Sequence, residues 1–175
     1  MKKKTLALVL ALTLLVAGVV GGTLAWLTDQ TAEVKNTFTV GDINIGLTET
    51  TTDYKMVPGN TIAKDPTVTV KANSEACWLF VKVTESANLD DFITYAIATG
   101  WTELEAGVYY REVPASNADQ TFSVLAGDAV TVKSDVTRAM LETAKTDAPT
   151  LTFKAYAIQK DHFATADAAW AEVSK

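Results

Sequence analysis

The sequence is short of the residues on which most enzyme chemistry depends. It holds one cysteine, Cys77, one histidine, His162, and four prolines among 175 residues. A lone cysteine excludes a disulfide within the chain, and one Cys with one His cannot supply a four-ligand zinc site. Any Cys/His nucleophilic pair would have to be made by these two residues. Neither a Ser-centred nucleophile elbow nor a Gly-rich phosphate loop is present, so no cofactor is expected. Cations are scarce as well: 15 Lys and Arg stand against 21 Asp and Glu, a net charge of −6. Three of those lysines are Lys2, Lys3 and Lys4, which leaves little basic surface to hold a phosphate backbone and argues against nucleic acid as a partner. With 48% of its residues hydrophobic, the chain can bury a real core, and one ordinary domain is expected.

The long apolar run is confined to the start. Lys2 to Lys4 form a positive n-region, Leu6 to Val20 an apolar stretch, and Gly21, Gly22, Thr23 and Ala25 a cluster of small residues, the pattern of an export signal. Thr23-Leu24-Ala25 places cleavage after Ala25, giving a mature chain of 26–175 that begins at Trp26 and, without three lysines, carries −9. Uncleaved, the uncharged stretch Thr5 to Leu27 is long enough to serve as a membrane anchor, the only membrane contact the sequence suggests. Both outcomes put the rest of the chain outside the cytoplasm. Cys77 alternates with Leu79, Val81 and Val83, which reads as a buried core thiol rather than a reactive one.

Beyond the signal, period-two patterns rich in Thr, Val, Phe and Tyr recur between Gly, Pro, Asn and Asp. They predict strands over Phe38 to Leu47, Val68 to Ala72, Cys77 to Thr84, Gly107 to Val113, Thr121 to Val124, Ala129 to Lys133 and Leu151 to Gln159. Pro58-Gly59-Asn60 is a turn, and Gly127-Asp128 could fold Phe122 to Leu125 onto Ala129 to Val132 as a hairpin. Helices are predicted only at about Leu89 to Ala98, Val136 to Ala144 and Ala166 to Val173. The last would set Ala166, Ala169, Trp170 and Val173 on one face behind a Thr165 cap. The fold expected is all-β, an antiparallel jelly-roll-like β-sandwich with a few short helices, preceded by the signal peptide.

A parity change marks the entry to that domain. Trp26, Ala32, Val34, Phe38 and Val40 occupy even positions, whereas Ile43, Ile45 and Leu47 occupy odd ones. Both halves can face one core only across a bulge or bend, which Gly41 permits. The leading part, Trp26 to Lys35, is too polar for deep core; it could pair with its own sheet, lie free, or pair with another molecule.

The run Thr23-Leu24-Ala25-Trp26-Leu27-Thr28-Asp29, followed by Asn36 to Ile45 (NTFTVGDINI) and Glu49, resembles the SipW-type signal peptide and first strand of the TasA and camelysin family. Val57-Pro58-Gly59-Asn60, Lys64 to Val68, Trp78 to Val83, and Ala155 to Gln159 ending near Trp170 extend the resemblance along most of the chain. It implies a secreted jelly-roll protein of a Gram-positive bacterium, released by a dedicated signal peptidase, with relatives that build biofilm matrix fibres. In those relatives the freed N-terminal strand of one subunit completes the sheet of the next. Here that donor strand would be residues 26–35, with Trp26, Ala32 and Val34 entering the neighbour, Phe38 and Val40 continuing the same face, and Gly41 as hinge.

The remaining candidates have plainer readings. The peptidase activity attached to camelysin needs two His one helical turn apart with an intervening Glu, whereas His162 stands alone as a surface or edge residue, and no metal site is expected. Asp90-Asp91, with Glu85 and Asn88, read as a solvated helix start rather than a calcium loop. Glu103 and Glu105, two apart, would share one face of an exposed strand. Tyr109 and Tyr110 point to opposite faces, so only one could join Trp78 and Trp101 in a carbohydrate platform. The leading expectation is therefore a non-enzymatic fibre subunit of the extracellular matrix or cell surface. It would associate with itself, with signal peptidase during export, and with other matrix proteins. The alternative is a monomeric secreted or membrane-tethered module that binds a glycan or protein, and a camelysin-like peptidase comes third.

Overall fold

A computed structural model describes residues 3, 41–52 and 54–175. Ten strands follow in chain order: β1 (Ile45–Thr48), β2 (Thr61–Ala63), β3 (Thr67–Val70), β4 (Cys77–Glu85), β5 (Ile93–Thr94), β6 (Thr102–Glu105), β7 (Val108–Val113), β8 (Gln120–Ser123), β9 (Ala129–Val132) and β10 (Leu151–Gln159). Every pairing between them is antiparallel. They form three sheets, ordered β1-β3-β8, β10-β4-β7-β6 and β2-β9-β5. The all-β sandwich read from the alternation is the fold observed.

Two of these sheets are one ribbon bent at a corner. β2 pairs with β9, and β3 with β8, so residues 61–70 run against 120–132 along their length. Between the pairs the amide of Lys64 donates to Asp128 O at 2.8 Å and that of Val124 to Pro66 O at 2.9 Å, keeping the bend bonded. Pro66 lacks an amide hydrogen and suits this corner. The hairpin expected across Gly127-Asp128 does not form. β8 and β9 bond to different strands, because positive φ at Gly127 (66°) and Asp128 (49°) carries the chain from one sheet to the next.

The main core lies between β1-β3-β8 and β10-β4-β7-β6. Cys77, Leu79, Val81 and Val83 face Val68, Val70 and Val124, with Ile43, Ile45, Leu47, Phe153 and Ala155 packed around them. The odd-position set after Gly41 thus faces this core, as the parity argument required. Phe80 and Trp78 point to the opposite face of β4, where helix α3 (Ala166–Val173) closes a second core with Ala166, Ala169 and Trp170. Its Thr165 hydroxyl accepts the Ala168 amide at 3.3 Å, the cap expected. With Phe80 fully buried between the tilted rings of Tyr110 and Trp170, truncation to Ala would cost about 3–5 kcal/mol.

A third cluster joins β2-β9-β5 to helices α1 (Leu89–Phe92) and α2 (Arg138–Ala144). The helix expected over Leu89 to Ala98 stops after one turn. Ile93 instead pairs with Val132 as β5, because a strand buries this β-branched side chain against the sheet. Glu103 and Glu105 correct another expectation. A bulge between them puts Glu103 opposite Tyr109 and Glu105 opposite Val108, so they turn to different faces. Glu105 accepts the Trp170 indole N–H at 2.8 Å.

Candidate functional site

An antiparallel sandwich with open sheets has two lateral sides, and here they differ. On one, β8 and β6 are the outermost strands. β6 is bulged, the Trp101 indole donates to Ser123 O at 2.9 Å, and residues 96–98 bond along 124–126 through the Ile97–Leu125 bridge. Arg111 is drawn inward here, its guanidinium 3.9 Å from the Phe122 ring centroid and 5.3 Å from that of Trp101. Its Nε is buried without a hydrogen-bond partner, and burial lowers its pKa.

On the other side β1 and β10 are outermost and lie beside one another. β10 runs nine residues in unbroken register with β4. Among the described residues no backbone group bonds to the outer edge of either strand. These are the exposed edges onto which another strand can add.

Where β1 ends and β10 begins, a cleft of about 730 Å³ opens beside Glu49, Thr52, Tyr54 and Met56. Glu49 and Lys64 meet across it at 2.6 Å with side chains only 17% and 9% exposed. The Tyr54 hydroxyl donates to Glu49 at 2.6 Å and also contacts Thr51 O. Burial, then the bond to Glu49, raises the Tyr54 pKa well above the usual phenol range. The covering segment is also tied by Thr50, whose hydroxyl and amide donate to Asp65 at 2.5 and 2.9 Å and hold that carboxyl below its ordinary range.

Gly41 lies where the chain enters this side. A Cβ there would come within 2.9 Å of Glu75 Cγ and 3.1 Å of Gln159 Nε2, so the close passage beside β10's last residue favours glycine. The amide of Glu75 donates to Asp42 O at 3.0 Å and that of Lys71 to Asn44 O at 2.8 Å, so 41–44 stays bonded although regular strand begins only at Ile45. The cleavage residues Thr23, Ala25 and Trp26 and the exchange residues Ala32, Val34, Phe38 and Val40 lie outside the described residues.

Residues 1–85 match the family model of the camelysin metallo-endopeptidases. Over those residues, just under half of the chain, it is similar to the camelysins. The stretch ends at the last residue of β4, so it takes in β1 to β4, and it agrees with the camelysin and TasA resemblance of the sequence. No curated protein and no solved structure matches the chain. The camelysin description names a metal enzyme. Among the described residues no three His, Cys, Asp or Glu gather as ligands. His162 is exposed in the single turn Lys160–His162 after β10, and Cys77 is fully buried, its thiol pushed up to about 11 by desolvation. Among the described residues no helix is long and apolar enough to cross a membrane.

The cleft residues were not singled out by the sequence reading, although one signal was available. Ile62, Lys64, Pro66, Val68 and Val70 share a parity, so Lys64 is a charge on a core-facing position. Arg111, between Tyr109 and Val113, is another. Tyr109 and Tyr110 do take opposite faces, but each packs against a core cluster, and Trp78 bonds to Phe163 O at 3.0 Å, so no aromatic platform forms.

Proposed function

We propose that this camelysin-like chain is an exported structural subunit, without catalytic activity, that assembles into extracellular fibres by seating residues 26–35 of one copy against the β1/β10 side of the next. The observation that supports this most is the asymmetry of the edges: one side is closed by a bulge, a bridge and an indole, while the other offers two adjacent strands that are unpaired among the described residues. An added strand gains main-chain hydrogen bonds along its length, and its alternate side chains face the receiving subunit. Neither a cofactor nor a covalent link is required.

Head-to-tail exchange does not close on itself, so filaments are the product, and signal removal after Ala25 gates it by freeing the donor. The exported chain then acts at the cell surface or in the surrounding matrix. At a charge of −9, subunits repel one another, so filaments grow faster as salt rises. The deciding experiment is negative-stain electron microscopy of protein starting at Trp26 beside protein lacking residues 26–35. Filaments are expected from the first alone, with both retaining strand circular dichroism. Filaments from the truncated protein, or none from the longer one, overturn the reading.

A further inference from the structure

The cleft beside β1 and β10 carries a chemistry that strand addition does not use. Its volume of about 730 Å³ is that of a small-molecule site. Leu47, Met56, Ile62, Val130 and Leu151 give it apolar walls, and its charged groups are concentrated at Glu49 and Lys64. The Lys64 ammonium has three N–H donors, of which one reaches an oxygen, Glu49 Oε1. Its nitrogen otherwise lies over the rings of Tyr54, 4.8 Å from the centroid, and Phe153, at 5.4 Å. Glu49 Oε1 also receives the Tyr54 hydroxyl, whereas Glu49 Oε2 accepts no hydrogen bond among the described residues.

A buried ammonium with unused donors beside a carboxylate with an unused acceptor is an incomplete hydrogen-bonding pair. The two charges already neutralise each other, so an anionic ligand would enter beside Glu49 without a counter-charge of its own. A neutral amide completes both sides at once, its oxygen accepting from Lys64 and its N–H donating to Glu49 Oε2. We propose that this cleft binds a small neutral molecule with an apolar body and one amide group. The proposal is independent of fibre assembly.

The test compares two probes with the same tail, octanamide and octanoate, titrated into the full chain while the methyl resonances of Ile62, Val130 and Leu151 are followed. Saturable shifts are expected with octanamide, at an affinity about tenfold or more above that of octanoate. Met56→Trp, on the half-exposed covering segment, should fill the mouth and abolish the shifts while the remaining spectrum stays folded. Lys64→Met should remove the preference for the amide. No saturable shift with octanamide, equal or tighter binding of octanoate, or binding unchanged by Met56→Trp overturns the proposal.

Discussion

The two lateral sides of this sandwich are built from strands of the same kind and treated in opposite ways. β6 and β8 have four residues each, are interrupted or bridged, and are sealed by Trp101 and residues 96–98. β10 has nine residues with no bulge in its register with β4, and among the described residues its neighbour β1 is equally unpaired on its outer side. Long regular edges are what monomeric sheet proteins usually disrupt, and among the described residues only the β6/β8 side is disrupted in that way. The inward-facing cations follow the same division. Arg111 on the closed side is held by aromatic faces, and Lys64 on the open side by a carboxylate beside a cleft.

The largest effect should come from placing a charge on each edge in turn. Ala157→Lys points an ammonium inward from β10 and should abolish filaments, whereas Lys at the exposed position of β8, Thr121→Lys, should leave them intact, with electron microscopy as the readout. The opposite pattern would exchange the roles of the two sides. Next comes Glu49→Ala, which leaves Lys64 charged and buried and should cost about 3–5 kcal/mol in urea unfolding, most of it recovered by Glu49→Leu with Lys64→Met. Recovery would show that the pair serves the cleft rather than stability.

Trp101→Ala should cost less, about 2 kcal/mol, because the indole is only half-buried. It should also speed hydrogen exchange along β8, and unchanged exchange would mean that the indole is not what seals that edge. The smallest effect is one of pH at Cys77, whose thiol burial raises from 9.0 to about 11. The unfolded chain ionises first, so stability is intact below pH 9 and falls as pH rises towards 11. Cys77→Ala should flatten that slope, as urea midpoints at pH 7 and 10.5 would register.

Much of the fold was legible because alternation is a local property. The strands of β4, β7 and β10 and helix α3 with its Thr165 cap stand where pattern and capping chemistry put them. Misreadings occurred where a local rule met a tertiary one: Ile93 left a helical pattern to pair with Val132, a bulge separated Glu103 from Glu105, and Gly127-Asp128 changed sheets instead of closing a hairpin. Of the candidate site, Gly41 was legible as a point that favours glycine, and the close passage of Glu75 and Gln159 adds a ground for it that no local pattern carries. Lys64 was overlooked because one charge in an apolar alternation has no local explanation; its partner Glu49 is fifteen residues away.

By itself the sequence determined the all-β class, the core-facing parity after Gly41 and the camelysin likeness of residues 1–85, all of which are written in neighbouring residues. Only the tertiary structure decided which strands are outermost, which edge is sealed, and that Glu49, Tyr54, Lys64 and Phe153 meet around one cleft. Those outcomes depend on contacts between distant segments, and alternation of side chains fixes the face of a strand without fixing its neighbour.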